Sequence, residues 1–210
     1  MIPHRTMSRV AATVLVTVAY VALAAASVGC GGGNDSTTTS TAPVALFTPD
    51  TAAPGAGTIA LLAGSTSGAS LNVRVTVTGV PVFFGAAFRI KYDPTALQFN
   101  GMTSSASFLL VGVTADNVFF DALTSTPGEI VITATRLDPT VAPPIPVVAT
   151  SDLVVLNFIA RKAIAVAAPE GRLDFGDPTQ NQVCDGTVAA SGCGAVVVTL
   201  PWSGGGVSAQ

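Results

Sequence analysis

Histidine is all but missing from this chain: of 210 residues, the one histidine is His4. Beyond that position, Ser-His-Asp and Cys-His catalysis and histidine metal sites are therefore excluded. Glutamate is nearly as scarce. Glu129 and Glu170 are the two present, each at the start of an expected strand, where a solvated charge explains it. The aspartates fall mostly in turns, so the two opposed carboxylates of a glycoside hydrolase are not in view, and an enzyme is not expected. Charged residues make up 10%, against about 25% in ordinary globular domains. Past the N-terminus the cations Arg74, Arg89, Lys91, Arg136, Arg161, Lys162 and Arg172 are scattered. Phosphate binding needs them clustered, so nucleic acid is excluded as a partner. Aromatic residues amount to 6% and are mostly phenylalanine. No convincing helical period is found.

What is present begins with an address. His4, Arg5 and Arg9 precede an apolar run from Val10 to Ala26, broken by two threonines and Tyr20. That length suits a signal peptide or a marginal membrane span. Ser27-Val28-Gly29-Cys30 resembles the lipobox of bacterial lipoproteins, small residues ahead of a cysteine that is lipidated and becomes the new N-terminus. Ser27 stands where leucine is more usual. Gly31, in place of an aspartate, implies outer-membrane sorting in a cell with two membranes. An ordinary secretory signal with an incidental Cys30 is the alternative. The expectation is a signal peptide over 1–29, then a lipid-anchored tether over 30–56 on the cell envelope, at the outer membrane or cell surface. The tether is rich in Gly, Ser, Thr and Pro and cannot bury enough apolar surface to order itself. Its Val44-Ala45-Leu46-Phe47 is the exception: it docks on a domain edge or is a bare sticky patch.

The folded part, expected over 57–203, is organised around Phe83 to Phe99. Phe84, Ala86, Phe88, Ile90 and Tyr92 share one parity, and Arg89 and Lys91 the other, the signature of a strand with one buried face. Asp93-Pro94 must turn the chain, and Leu97 and Phe99 restart the alternation, making the pair the centre of a sandwich. Further strands are read at 58–63, 71–78, 108–113, 117–123, 129–136, 152–160, 171–175 and 195–202. In the second of these Val73, Val75 and Val77 point inward, with Asn72, Arg74, Thr76 and Thr78 outward. Residues 138–150 carry Pro139, Pro143, Pro144 and Pro146 and form a loop. The glycine-rich 204–210 is a flexible tail. Eight to nine short strands between Gly/Pro turns imply an all-β fold, an antiparallel β-sandwich or jelly roll.

Few residues carry chemistry. Cys184 and Cys193 enclose CDGTVAASGC, and in an exported protein two such cysteines form a disulfide. Asp174, Asp177, Asn181 and Asp185 offer oxygen ligands for Ca²⁺, though the spacing is not that of an EF-hand and aspartates are ordinary turn formers. Trp202, with Tyr92 and the outer side of Phe83, is a candidate platform for stacking sugar rings; core packing of Trp202 is the alternative.

The order V-x-V-x-V, GAAFRIKYDPTALQF, GEIVITATR and LVVLNFIARKA resembles a cohesin-like domain, of the β-sandwich superfamily that also holds cellulose-binding modules. Its turn signature is Tyr92-Asp93-Pro94 followed by Leu97. A later strand matches at Leu153, Leu156, Phe158 and Ala160. The likeness covers roughly 57–202. It implies a nine-stranded jelly roll without catalysis that binds a protein partner, in the type case a dockerin. Direct polysaccharide binding and a structural spacer are the alternatives.

Overall fold

The computed structural model describes residues 43–186 and 200–210. Among them, fourteen strands form two large sheets and one small ribbon. In chain order the strands are β1 (Ala45–Pro49), β2 (Thr58–Ser67), β3 (Ser70–Thr78), β4 (Val80–Phe83), β5 (Gly85–Lys91), β6 (Leu97–Ser104), β7 (Val118–Thr126), β8 (Glu129–Arg136), β9 (Ile145–Val147), β10 (Ser151–Ala160), β11 (Arg172–Phe175), β12 (Gln182–Cys184), β13 (Trp202–Ser203) and β14 (Gly205–Ala209). The front sheet runs β1-β14-β11-β5-β8-β7, with β12 taking the rest of the β5 edge that β11 leaves. The back sheet runs β13-β2-β3-β10-β6, and β4 pairs with β9. Every pairing is antiparallel except β13 with β2. This is the expected antiparallel β-sandwich. The strand count exceeds eight to nine because short edge pieces add to the long runs.

The alternation read from the sequence places the core. Phe88, Ile90, Ile130 and Ile132 from the front sheet meet Val73, Val75, Leu156 and Phe158 from the back, all essentially without solvent exposure. Burying such side chains is the main force holding two sheets together. β10, the most apolar run, lies between β3 and β6. The turn after β5 works differently from a hairpin. β5 is in the front sheet and β6 in the back, so Asp93-Pro94 carries the chain across the sandwich rather than pairing its two flanks. Asp93 holds the crossing: its side chain accepts from the Thr95 N–H at 2.8 Å, and its carbonyl from Leu97 N–H at 2.9 Å. Gly128, at φ +79°, sits so close that a Cβ would lie 2.7 Å from the Tyr92 carbonyl. Tyr92 itself packs edge-on to Phe158 at 5.5 Å.

Four expectations are corrected. Residues 108–113 are not a strand: Ser107–Leu110 is a 3-10 turn, its Leu109 carbonyl and that of Val111 just after it taken up by a side chain from far along the sequence. The tail is not flexible, since Gly205–Ala209 pairs with β1 on one side and β11 on the other. The tether ends earlier than residue 56 because β1 docks on that tail strand, the edge-docking alternative. Thr76 and Thr78 are buried rather than outward-solvated. Thr76 Oγ1 donates to the Ala60 carbonyl at 3.2 Å, and Thr78 Oγ1 shares a hydrogen bond with Thr150 at 2.9 Å. Residues 1–42, including Cys30, and 187–199, including Cys193, lie outside the described residues.

Candidate functional site

The outer faces of both sheets are partly open, and the front one carries exposed large apolar side chains on β7. On the back sheet Ala60, Leu62 and Thr76 are buried, while Asn72, Arg74, Val155, Asn157 and Ile159 are half-buried. On the front sheet the outward residues of β5, β8 and β7 remain half-buried or exposed. Register sets them in rows. Phe119, Thr135 and Gly85 form one row, and Asp121, Thr133 and Ala87 the next. Leu123, Val131 and Arg89 follow, then Thr126, Glu129, Lys91 and, on β11, Asp174. Phe119 is 44% exposed and Leu123 56%. The face is thus apolar and small-residue at the Phe119 end, apart from Asp121, and charged at the other, beyond Leu123 and Val131. Gly85 belongs to it for a steric reason: a Cβ there would lie 2.2 Å from Thr135 Oγ1. A shallow cavity of about 270 Å³ opens beside it, lined by Ala87, Thr133, Thr135, Leu137 and Cys184.

The charged end is internally paired. Arg89 donates to Glu129 across the β5–β8 ladder. Arg172 donates to both oxygens of Asp50 at 2.8 Å each, and also to Asp174. The Arg172 hydrogen bonds hold the Asp50 carboxyl below the usual carboxylate range, and the two aspartates push the guanidinium pKa above its ordinary value. A flat face of mixed polarity, without a deep pocket or a convergent catalytic group, fits another protein better than a small molecule.

Three of the expected calcium ligands have partners within the chain. Asp174 is engaged with Arg172. Asp177 caps a 3-10 turn, accepting from Thr179 N–H at 2.9 Å and Thr179 Oγ1 at 2.7 Å, which also lowers its carboxyl pKa. Asn181 is 8% exposed; its Oδ1 accepts from the Arg89 N–H at 3.0 Å and its Nδ2 donates to the Gly176 carbonyl at 3.3 Å. Among the described residues no three acidic or cysteine side chains gather as a metal group. Asp185 lies just past β12.

The stacking platform is likewise not assembled. Phe83 has no solvent exposure and packs edge-on to Phe108 at 5.6 Å. Tyr92 faces Phe158. Trp202 is half-buried against Phe175 and Phe88, with ring centroids 4.9 and 5.8 Å away. Its free edge borders a cleft of about 510 Å³ with Asp50, Asp174 and Ser203. Cys184 is buried, and its expected partner Cys193 lies outside the described residues. What the sequence reading left unassigned is the outward row of β7. Residues 117–123 were expected as a strand, and the parity of Phe119, Asp121 and Leu123 was the signal for a face.

Family comparison bears on this geometry. The model of the cohesin domain matches residues 58–191, well over half of the chain. The chain belongs to the cohesin family. Cohesin domains are protein-interaction modules that bind dockerins. No curated protein matches this cohesin chain. Among solved structures, CaCohA2 from Clostridium acetobutylicum is 23% identical, covering 78% of this chain and 88% of its own, with a TM-score of 0.46. The sixth cohesin of scaffoldin B from Acetivibrio cellulolyticus, solved with a Cel5 dockerin mutant, is 16% identical, covering 75% and 94%, with a TM-score of 0.47. A type II cohesin module of the ScaA adaptor scaffoldin from the same organism is 18% identical, covering 77% and 95%, with a TM-score of 0.45.

Proposed function

We propose that this chain is a non-catalytic, lipid-anchored protein of the cell envelope whose cohesin domain binds a dockerin-bearing protein through the outer face of β5, β8 and β7. The match of the cohesin family over 58–191 carries this reading. Phe119 and Leu123 stand exposed on this face with half-buried Val131 beside them, large apolar groups of the kind that anchor a protein interface. Ser27 to Cys30 supplies the anchor, and the stretch before β1 lets the domain stand off the membrane.

The test is capture of dockerin-bearing proteins from the organism's secretome by the full chain, alongside Leu123→Glu. Leu123 is exposed, so the variant should fold normally and lose at least about tenfold in affinity, as hot-spot substitutions do. Failure to capture any such protein, or undiminished binding by the variant, counts against the reading. In parallel, Cys30→Ser should move the protein from the membrane to the soluble fraction.

A second reading, polysaccharide binding, rests on the edge of Trp202 at its cleft. Retention on cellulose, chitin or xylan, lost in Trp202→Ala, would favour it.

A further inference from the structure

Arg136, the last residue of β8, is among the described residues the largest side chain with under 2% exposure. A buried cation without compensation is costly. Among the described residues no carboxylate pairs with it. Instead, its Nε donates to the Leu109 carbonyl at 3.0 Å, its Nη2 to the Val111 carbonyl and its Nη1 to the Pro143 carbonyl. Burial lowers its pKa. A guanidinium fits this job because its five donors fan out in a fixed plane, whereas an ammonium radiates three from one point.

The carbonyls it holds belong to two segments distant in sequence, the 3-10 turn that ends near Val111 and the loop after β8. Both carry exposed apolar side chains: Leu110, Val111, Leu137 and Val141 are 40–62% exposed. Leu137 adjoins the Phe119 end of the front face. Leu137 donates its N–H to the Asn117 carbonyl at 3.0 Å, ahead of β7, and it lines the cavity with Thr133 and Thr135.

We propose that Arg136 is a positioning residue of the interface. Its guanidinium locks segments 107–113 and 137–144 together, so that Leu110, Val111, Leu137 and Val141 extend the apolar end of the sheet face toward the dockerin-bearing partner; this rests on the function proposed above. Arg136 makes no contact with the partner. It sets the spacing of the groups that do.

The experiment measures amide exchange and partner dissociation together, on the full chain with Arg136→Lys and Arg136→Met. Arg136→Lys should speed exchange in 107–113 and 137–144 while β2, β3 and β10 keep their protection. Dissociation of the captured dockerin-bearing protein should quicken about tenfold, the size of one lost interface anchor. Exchange loosened evenly across the whole sandwich, or not at all, would overturn the positioning role. So would loosened segments with unchanged dissociation. If Arg136→Met fails to fold, the exposed pair Val111→Ser and Val141→Ser decides: faster dissociation supports the proposal, and unchanged dissociation overturns it. If the wild-type chain captures no dockerin-bearing protein, the interface reading falls, while exchange still decides whether Arg136 locks the two segments.

Discussion

The side chain of Asn181 substitutes for a strand at Arg89. β5 pairs with β11 at Ile90 and Lys91 and with β12 from Ala87 to Gly85, leaving Arg89 between them. There Asn181 Oδ1 accepts the Arg89 N–H at 3.0 Å, and the Arg89 carbonyl accepts from Gly176 N–H at 2.8 Å. The ladder is continuous although two different strands serve it.

Asn181→Ala should therefore cost about 1–3 kcal/mol, the penalty for leaving buried polar groups unpaired. Asn181→Asp keeps the acceptor for Arg89 but loses the donor to Gly176, so it should fall between the two. Urea denaturation of the three proteins checks the order. An alanine variant as stable as wild type would show that the bridge is incidental.

Acid should weaken the fold in a defined range. Asp50, Asp93, Asp138 and Asp177 all have carboxyl pKa values below the ordinary one, through hydrogen bonds from Arg172, Thr95, Thr140 and Thr179 respectively. The native state then binds fewer protons than the unfolded state in acid. Their contribution is present above about pH 4 and is lost as pH falls through the lowered native values. Denaturation midpoints should stay flat from neutrality to about pH 5 and drop below pH 4. Asp50→Asn should be less stable at neutral pH and less steep in acid.

The cysteines give a redox prediction. We propose that Cys184 and Cys193 are linked, and closing this short loop should contribute ~2–3 kcal/mol by constraining the unfolded chain. Peptide mapping after alkylation should recover the linked pair. Reduction should lower the melting temperature of the wild type but leave Cys193→Ser unaffected by reductant.

Calcium should be without effect. Both Asp174 carboxylate oxygens accept from Arg172, Asp177 Oδ1 accepts from Thr179, and Asn181 Oδ1 accepts from Arg89. Melting in millimolar Ca²⁺ and in chelator should coincide. A raised midpoint with calcium would return the acidic loop to consideration as a metal site.

Strand parity was the most legible part of the molecule. Val73, Val75, Val77, Phe88 and Ile90 could be placed inward because period-two burial leaves its mark on every residue. The YDP turn was visible too, but not that its flanks part to opposite sheets, since that depends on which strands each one meets. Residues 108–113 were apolar enough for a strand. What decides against it is Arg136, some 25 residues on, drawing their carbonyls into a tight turn. The tail GGGVSA has little strand propensity of its own; its order comes from neighbours on both sides, a tertiary effect that outweighs local preference. The outward face of β7 stayed unassigned because an exposed Phe119 or Leu123 looks, in sequence, like another core residue.

The pairing of β1 with β14 has a kinetic consequence. Ala45 lies opposite Ala209, so these partners are separated by nearly the whole folded chain. The β2–β3 hairpin can close as soon as its two-residue connection exists. β1 must wait for Gly205–Ala209 to arrive beside β11, and contacts so distant in sequence are slow to form. In the interval Phe47, buried in the finished protein, hangs on an unpaired edge. That interval, rather than the finished fold, is when a newly made chain is most open to proteolysis or to pairing with another copy.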